Sequence, residues 1–326
     1  MSECACRVPL LGGARGGSVH GKSSAIGRNG SSVRVSRKNR VPWDNRLKIT
    51  VYTPESPLRH PRVLVRSMWQ DLLAGRELGW RLFLRGLSAM YRQTVLGYVW
   101  LFLAPLATSL TFIFLRSSGV FKIGETAIPY PAYVMMGTLL WQGFVDALNG
   151  PMKIVSSSKS ILTKLNIPKE GLLLTNFYEV MFNLVIRCVL LALVMAIFGM
   201  VPPLTVFLFP LGLLLLVLLG MSLGLLLVPI GLLYGDVQRA VGMLTGFWMF
   251  LTPVVYPPPS RWPASLIVEW NPVSPVLMTC REMLTTGDLV HLSSALLVGL
   301  FALVTLLAAW VLYRLAMPIL VERMGN

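Results

Sequence analysis

The sequence predicts an all-α integral membrane protein with six transmembrane helices, and three observations predict it. Hydrophobic residues make up 55% of the chain, charged residues only 13%, and mean hydropathy is +0.67. Six apolar stretches are each long enough to cross roughly 30 Å of hydrocarbon. Residues 1–95 hold 17 of the 29 Lys and Arg against 5 of the 14 acids, a net +12. A soluble domain carries about 25% charged residues, so a soluble chain this apolar would expose large greasy patches. A basic segment ahead of a membrane domain marks a cytoplasmic face rather than a nucleic-acid partner.

Residues 1–60 are rich in Gly, Ser and Arg and show no hydrophobic period. They bury too little apolar surface to offset the entropy of ordering, so the sequence predicts a disordered basic cytoplasmic tail. No apolar core follows its early arginines, which argues against a secretory signal peptide, and a start further downstream is compatible with it. Gly16-Gly17-Ser18-Val19-His20-Gly21-Lys22-Ser23 matches the phosphate-loop pattern in letters. That chemistry needs a buried strand before the loop and a helix after it. The flanks, Val8-Pro9-Leu10-Leu11-Gly12-Gly13 and Ser24-Ala25-Ile26-Gly27-Arg28-Asn29-Gly30, supply neither, so the match is read as chance. Cys4 and Cys6 have no His or Cys following at ligand spacing, and with Cys188 and Cys280 they form no disulfide framework.

Residues 61–95 are expected to contain a cytoplasmic interfacial amphipathic helix, clearest over 77–94. Arg81, Arg85, Ser88 and Arg92 recur at spacings of four, three and four, making one polar stripe, with Trp80, Leu82, Phe83, Leu84, Leu87, Met90 and Tyr91 beside it. A helix in the headgroup layer needs that division: apolar side chains in acyl chain, arginines toward phosphate. Six spans follow in the transmembrane domain 96–326, at about 96–116, 131–151, 172–199, 204–232, 238–256 and 291–314. With the tail inside, the inner connections hold Lys153, Lys159, Lys164, Lys169 and Arg239, and Arg314 and Arg323 close the chain. The outer connections hold Arg116, Lys122, Arg261 and Arg281. Counting the tail, this bias places both termini in the cytoplasm.

Between spans five and six, Pro253, Pro257, Pro258, Pro259 and Pro263 prevent a regular helix. Residues 264–285 read as short re-entrant or surface helices in the outer leaflet, with Trp262 and Trp270 suited to an interface. Non-helical backbone at that depth must be covered by protein or face water, so this segment is expected to line an exit.

Several stretches then resemble one family in the same order along the chain. Tyr91-Arg92-Gln93-Thr94-Val95-Leu96-Gly97-Tyr98-Val99-Trp100 with Ala104-Pro105-Leu106 is similar to the permeases of type-two ABC exporters, in the branch that exports O-antigen, capsule or teichoic acid chains. Tyr130-Pro131 with Gly137-Thr138-Leu139-Leu140-Trp141 resembles its second span, and Ile161-Leu162-Thr163-Lys164-Leu165-Asn166-Ile167-Pro168-Lys169-Glu170 its cytoplasmic coupling loop. Tyr234-Gly235-Asp236-Val237, Met249-Phe250-Leu251-Thr252-Pro253-Val254-Val255-Tyr256-Pro257 and Asn271-Pro272-Val273-Ser274-Pro275 with Arg281 continue the match, which covers about 70–326. Three positions depart from the family's pattern: Gly235, where Arg is usual beside the Asp; Thr163, where Lys is common; and Asn166, where an aromatic is common.

The resemblance implies a permease without catalytic residues or a cofactor of its own, with ATP and Mg on a separate nucleotide-binding subunit. It implies a working unit of two copies of each chain, a lipid-linked polysaccharide as substrate, and the bacterial inner membrane as location. Three histidines, His20, His60 and His291, and no locatable catalytic set or metal site agree with transport rather than chemistry. Lys159, Ile161, Leu162, Lys164, Leu165, Ile167, Pro168, Lys169 and Glu170 are expected to couple to the ATPase subunit. Arg81, Arg85 and Arg92 are candidates to hold the lipid carrier's pyrophosphate at the entrance.

Trp141, Phe144, Phe247, Trp248, Phe250 and Tyr256 are candidate conduit aromatics, with packing or an interfacial belt as the alternative. The intramembrane polar groups Asp146, Asn149, Asn176, Glu179, Asn183 and Arg187 need partners. Glu179, Asn183 and Arg187 share one helix face that should point into the protein. A drug or small-lipid exporter of the same family is the first alternative. A membrane glycosyl or phosphoryl transferase ranks lower, because the inner loops offer only Glu170 and Asp236 as metal ligands. A secondary transporter would show repeat symmetry, which is not visible.

Overall fold

A backbone in hydrocarbon must satisfy its own hydrogen bonds, which helices do locally, and among the described residues every regular element is helical. The computed structural model describes residues 61–92, 99–119, 126, 128–164, 168–259, 262 and 264–325. The expectations for the tail 1–60, its phosphate-loop match included, lie outside the described residues, as do Leu165 and Ile167 and the side chain of Arg92.

In chain order the helices are α1 Pro61–Arg92, α2 Trp100–Ser117, α3 Tyr130–Ser157, α4 Lys159–Lys164 and α5 Glu170–Ile197. They continue as α6 Phe209–Leu233, α7 Asp236–Leu251, α8 Ala264–Trp270, α9 Val273–Leu284 and α10 Leu292–Gly325. Among the described residues, three segments are long and apolar enough to cross a membrane: α5, Leu204–Leu233 (a 3₁₀ turn leading into α6), and Leu292–Arg323 of α10. α6 lies between α3 and α10 and also meets α9, while α5 closes the other side of α3 and carries α1. α2 packs on α3, joined there by a buried hydrogen bond of 3.1 Å between the Ser109 and Thr138 hydroxyls.

Two helix crossings are made by glycine pairs four residues apart. A Cβ at Gly220 would lie 2.8 Å from the Phe144 carbonyl oxygen, and one at Gly224 only 2.2 Å from that of Leu148. The backbones of α3 and α6 therefore touch, the small-xxx-small packing expected where lipid supplies no hydrophobic drive between helices. Gly224→Leu is expected to force these helices apart, with a loss of about 3 kcal/mol or more. Gly242, in α7, has open space where its Cβ would go, so Gly242→Ala is the control. Melting of both purified variants in detergent checks this, and equal midpoints would remove the argument.

At the second crossing, a Cβ at Gly75 would lie 2.8 Å from the Gly171 amide nitrogen and one at Gly79 2.9 Å from the Gly171 carbonyl oxygen. The Thr175 hydroxyl donates to the Gly79 carbonyl at 3.2 Å. Here the structure departs from the expectation. α1 begins 16 residues before 77, and much of its apolar surface faces α5 rather than lipid. At 100° per residue, Leu64, Met68, Gly75, Gly79 and Phe83 form one buried stripe. Val65, Trp69, Leu73, Trp80 and Leu84 form a second, exposed apolar stripe, and Glu77, Arg81, Arg85 and Ser88 a third, exposed polar one.

α7 also differs from the expected span 238–256. It stops at Leu251, and Thr252 adopts an extended conformation with φ −103° and ψ 139°. Pro253 disfavours helical geometry in the residue before it. The short helices expected after it are α8 and α9, and α9 is enclosed, with 11 of its 12 residues buried.

Candidate transport path and coupling elements

The prolines that end α7 leave carbonyls that no helix satisfies, and one arginine takes two of them. Arg281, on α9, donates to the carbonyls of Pro253 at 3.1 Å and Val254 at 2.9 Å, and to the Tyr133 hydroxyl at 2.5 Å. Its guanidinium lies over the Tyr133 ring, 3.7 Å from the centroid. Gly137 leaves the room: a Cβ there would sit 2.1 Å from the Val254 oxygen and 2.5 Å from Arg281 Nη2. Arg281 is buried, and among the described residues no carboxylate pairs with it. Backbone dipoles and a π face carry its charge instead.

Beside it, Asn271 accepts from Trp248 Nε1 at 3.0 Å and from the Val273 amide at 3.1 Å, and its amide donates to the Thr252 hydroxyl at 2.7 Å. The Asn-Pro pair thus starts α9 and ties it to the end of α7. The segments resembling the second span, the end of the fifth and the outer segment meet in this one cluster.

A second polar set runs between α3 and α5. Asp146 accepts from Arg187 at 2.6 Å and from Asn183 at 3.2 Å, and Lys153 pairs with Glu179 at 3.0 Å. The face carrying Glu179, Asn183 and Arg187 therefore meets protein, with its partners on α3. Asp146 retains 35% side-chain exposure and Lys153 51%, against 9% for Arg187, so the ladder has one open edge. Asn149 caps its own turn through the Val145 carbonyl at 3.1 Å. Asn176 is buried with neither polar atom bonded, and Gly150 provides its space.

The six candidate aromatics divide. Trp141 and Phe144 are buried, and with Trp248 they form a cluster with centroids 5.3 to 6.3 Å apart. Their faces are used on one another, with edge-to-face geometry at Trp248. Phe247 and Phe250 stand on the exposed face of α7, and the Tyr256 hydroxyl donates to the Phe250 carbonyl at 2.8 Å. Val241, Thr245, Trp248 and Thr252 recur at helical spacing on the inward side, which explains the division.

At the other end of α3, the loop expected to couple to the ATPase forms α4 with Lys159, Ser160, Thr163 and Lys164 exposed. Leu162 does not offer its side chain outward as expected: it is buried in the chain's own core, because α4 packs on α10 and α3. Ile161, Pro168 and Lys169 are half-buried, and burial pulls the Lys169 ammonium below its ordinary pKa, with Glu170 opposing the shift. Glu170 also turns inward. Its carboxylate pairs with Arg314 Nη1, while Arg314 Nη2 pairs with Asp71 at 2.6 Å and donates to the Ser67 hydroxyl at 3.3 Å. The Tyr313 hydroxyl donates to the Lys169 carbonyl at 3.1 Å. Asp71, Tyr133 and Tyr313 escaped the sequence reading. The available signal was Arg314 itself, which ends a long apolar run and needs a partner.

The sequence model of the ABC-2 type transporter family matches residues 77–284, more than half of the chain. The chain belongs to that family. As an ABC-2 permease it is similar to the O-antigen export system permease protein RfbA of Myxococcus xanthus, 30% identical over 195 residues. That alignment covers 60% of this chain and 72% of the relative. It is also similar to an O-antigen export system permease protein RfbA of Klebsiella pneumoniae, 22% identical over 63% of this chain and 79% of the relative. The polysialic acid transport protein KpsM of Escherichia coli is 24% identical over 72% of this chain and 91% of its own length. The family match spans α3 through α9, and so takes in the Arg281 cluster, the α3–α5 ladder and the α4 loop.

Proposed function

We propose that this ABC-2 chain is the permease of an ATP-driven exporter that moves lipid-linked polysaccharide, of O-antigen or capsule type, across a bacterial inner membrane. The observation that carries the reading is the similarity to O-antigen and polysialic acid exporters across most of those relatives' length. The spans are α2, α3, α5, α6, α7 and α10, with both termini in the cytoplasm as the lysines and arginines require. α1 lies along the inner interface, with its Trp69, Leu73, Trp80 and Leu84 stripe in acyl chain. Arg81 and Arg85 then face headgroups, Arg81 in an exposed ion pair with Glu77, where carrier pyrophosphate would arrive.

A second copy of the chain covers the exposed apolar faces of α2, at Val99, Leu103, Leu106, Leu110 and Phe114, and of α7, at Met243, Leu244 and Phe247. The path runs between the copies, with Phe250 and Tyr256 the candidate aromatics left to meet sugar. Energy comes from a separate ATPase subunit, which carries ATP and Mg and docks at Lys159 and Lys164.

Conditional depletion, followed by mass analysis of carrier-linked glycans in whole cells, tests the reading. Long lipid-linked chains should accumulate inside while surface polysaccharide disappears. Normal surface glycan and carrier pools would refute polysaccharide as the cargo and favour a small-lipid or drug exporter of the same family.

A further inference from the structure

Arg314 lies where three separate parts of the chain meet. One arm of its guanidinium holds the Glu170 carboxylate at the first residue of α5; the other holds Asp71 and Ser67 on α1. Glu170 is buried and Arg314 only 23% exposed on its side chain, so this is not a fully solvated surface pair. The preceding residue on each side repeats the tie, through the Tyr313 hydroxyl on the Lys169 carbonyl. Lys169 and Glu170 end the α4 loop, and α4 itself packs on α10. At the next residue of α5, Gly171 touches the backbone of α1 at Gly75 and Gly79. The loop's return to the bundle is therefore fastened to α10 through Arg314 and Tyr313, and to α1 through Arg314 and the glycine contact, with Arg314 the one side chain common to both.

We infer that Arg314 is the positioning residue that passes displacement of the α4 loop to α1. The inference rests on the transporter reading above. A loop pushed at Lys159–Lys164 pulls on α5 at Glu170. The planar fork of an arginine, bonded to carboxylates on two helices, makes α1 follow. An ammonium is a point donor on a flexible stem and cannot hold both carboxylates in fixed geometry. The polar face of α1, which carries Arg81 and Arg85, then moves with the loop, so nucleotide state reaches the membrane entrance without passing through the conduit.

The test uses the full chain in complex with its ATPase subunit in lipid nanodiscs. Distance labels are placed at Ala74→Cys on α1 and Ser160→Cys on α4, each read against Ser294→Cys on α10, all three exposed positions. On adding MgATP, both labels should shift in the otherwise native complex. Arg314→Gln should keep the α4 response and lose a clear part of that of α1. Asp71→Asn keeps the Glu170–Arg314 pair and should uncouple α1 in the same way, which covers failure of the first variant to assemble. The exchange Asp71→Arg with Arg314→Asp should restore the response, since the new arginine again faces two carboxylates. An α1 response undiminished in Arg314→Gln or Asp71→Asn would overturn the inference alone. Loss of both responses together in Asp71→Asn would also overturn it, because that is what a merely structural role predicts. A native complex whose α4 label ignores MgATP would overturn the transporter reading itself.

Discussion

Arg281→Met should cost the permease about 4 kcal/mol or more of stability and leave the segment that follows α7 without a fixed conformation. The guanidinium donates to two carbonyls that α7 leaves unpaired when it ends, and a hydrogen bond to a charged group contributes about 1.5–3 kcal/mol. Methionine fills similar volume but donates nothing, so the Pro253 and Val254 oxygens are stranded in a buried site. Arg281→Lys should recover only part of the loss, since one ammonium cannot span both oxygens and stack on Tyr133. Tyr133→Phe keeps the ring under the cation and should cost about 1 kcal/mol. Thermal unfolding of the three purified variants in one detergent ranks them. A melting point for Arg281→Met equal to that of the unmodified protein would show that the two carbonyls do not depend on this residue.

Breaking the α3–α5 ladder on one side should be as damaging, and removing both sides should not. Asp146→Ala leaves Arg187 charged and buried, with its Nη1 already lacking a partner. Removing one member of a buried ion pair typically costs about 3–5 kcal/mol, whereas replacing both by apolar residues of similar size is often neutral or stabilising. The double variant Asp146→Leu with Arg187→Met should therefore melt near the unmodified protein while the single variant does not. Export separates structure from transport. A double variant that folds and still exports would show that the ladder only joins helices; one that folds and fails would place its open edge on the glycan's route. Equal melting of the single and double variants would contradict the pairing.

The segments ending in α5, α6 and α10 were legible in the sequence because their apolar runs are long, and the prolines from Pro253 onward marked a break after α7. Their ends were not. α1 extends to Pro61 because Met68, Gly75 and Gly79 face another helix, and no amphipathic stripe announces a face made of glycine. The Gly220–Gly224 pair was visible only as two small residues in a leucine-rich run; the helix it touches lies more than seventy residues away. Long-range pairs were the least legible part. Asp71 finds Arg314 across 243 residues and Tyr133 finds Arg281 across 148, and local spacing carries no trace of either. Trp141 and Phe144 illustrate a further limit: the sequence marks an aromatic as large and apolar, but only packing decides whether its face is free.

α10 has a mechanical consequence beyond its role as a span. From Leu292 to Met317 it is unbroken by proline, a rod about 39 Å long. Near one end Arg314 grips α5 and α1. At the other, His291, the residue just before the rod, is bound through Nδ1 to Glu282 of α9 at 2.5 Å. Between these ends the rod packs along α6, where the Leu215 side chain occupies the space beside Gly299. A stiff rod held at both ends passes a displacement of one tie to the other. The α9 cluster and the α1–α5 junction, far apart in space, are thus the two ends of a single strut, and strain at one is felt at the other.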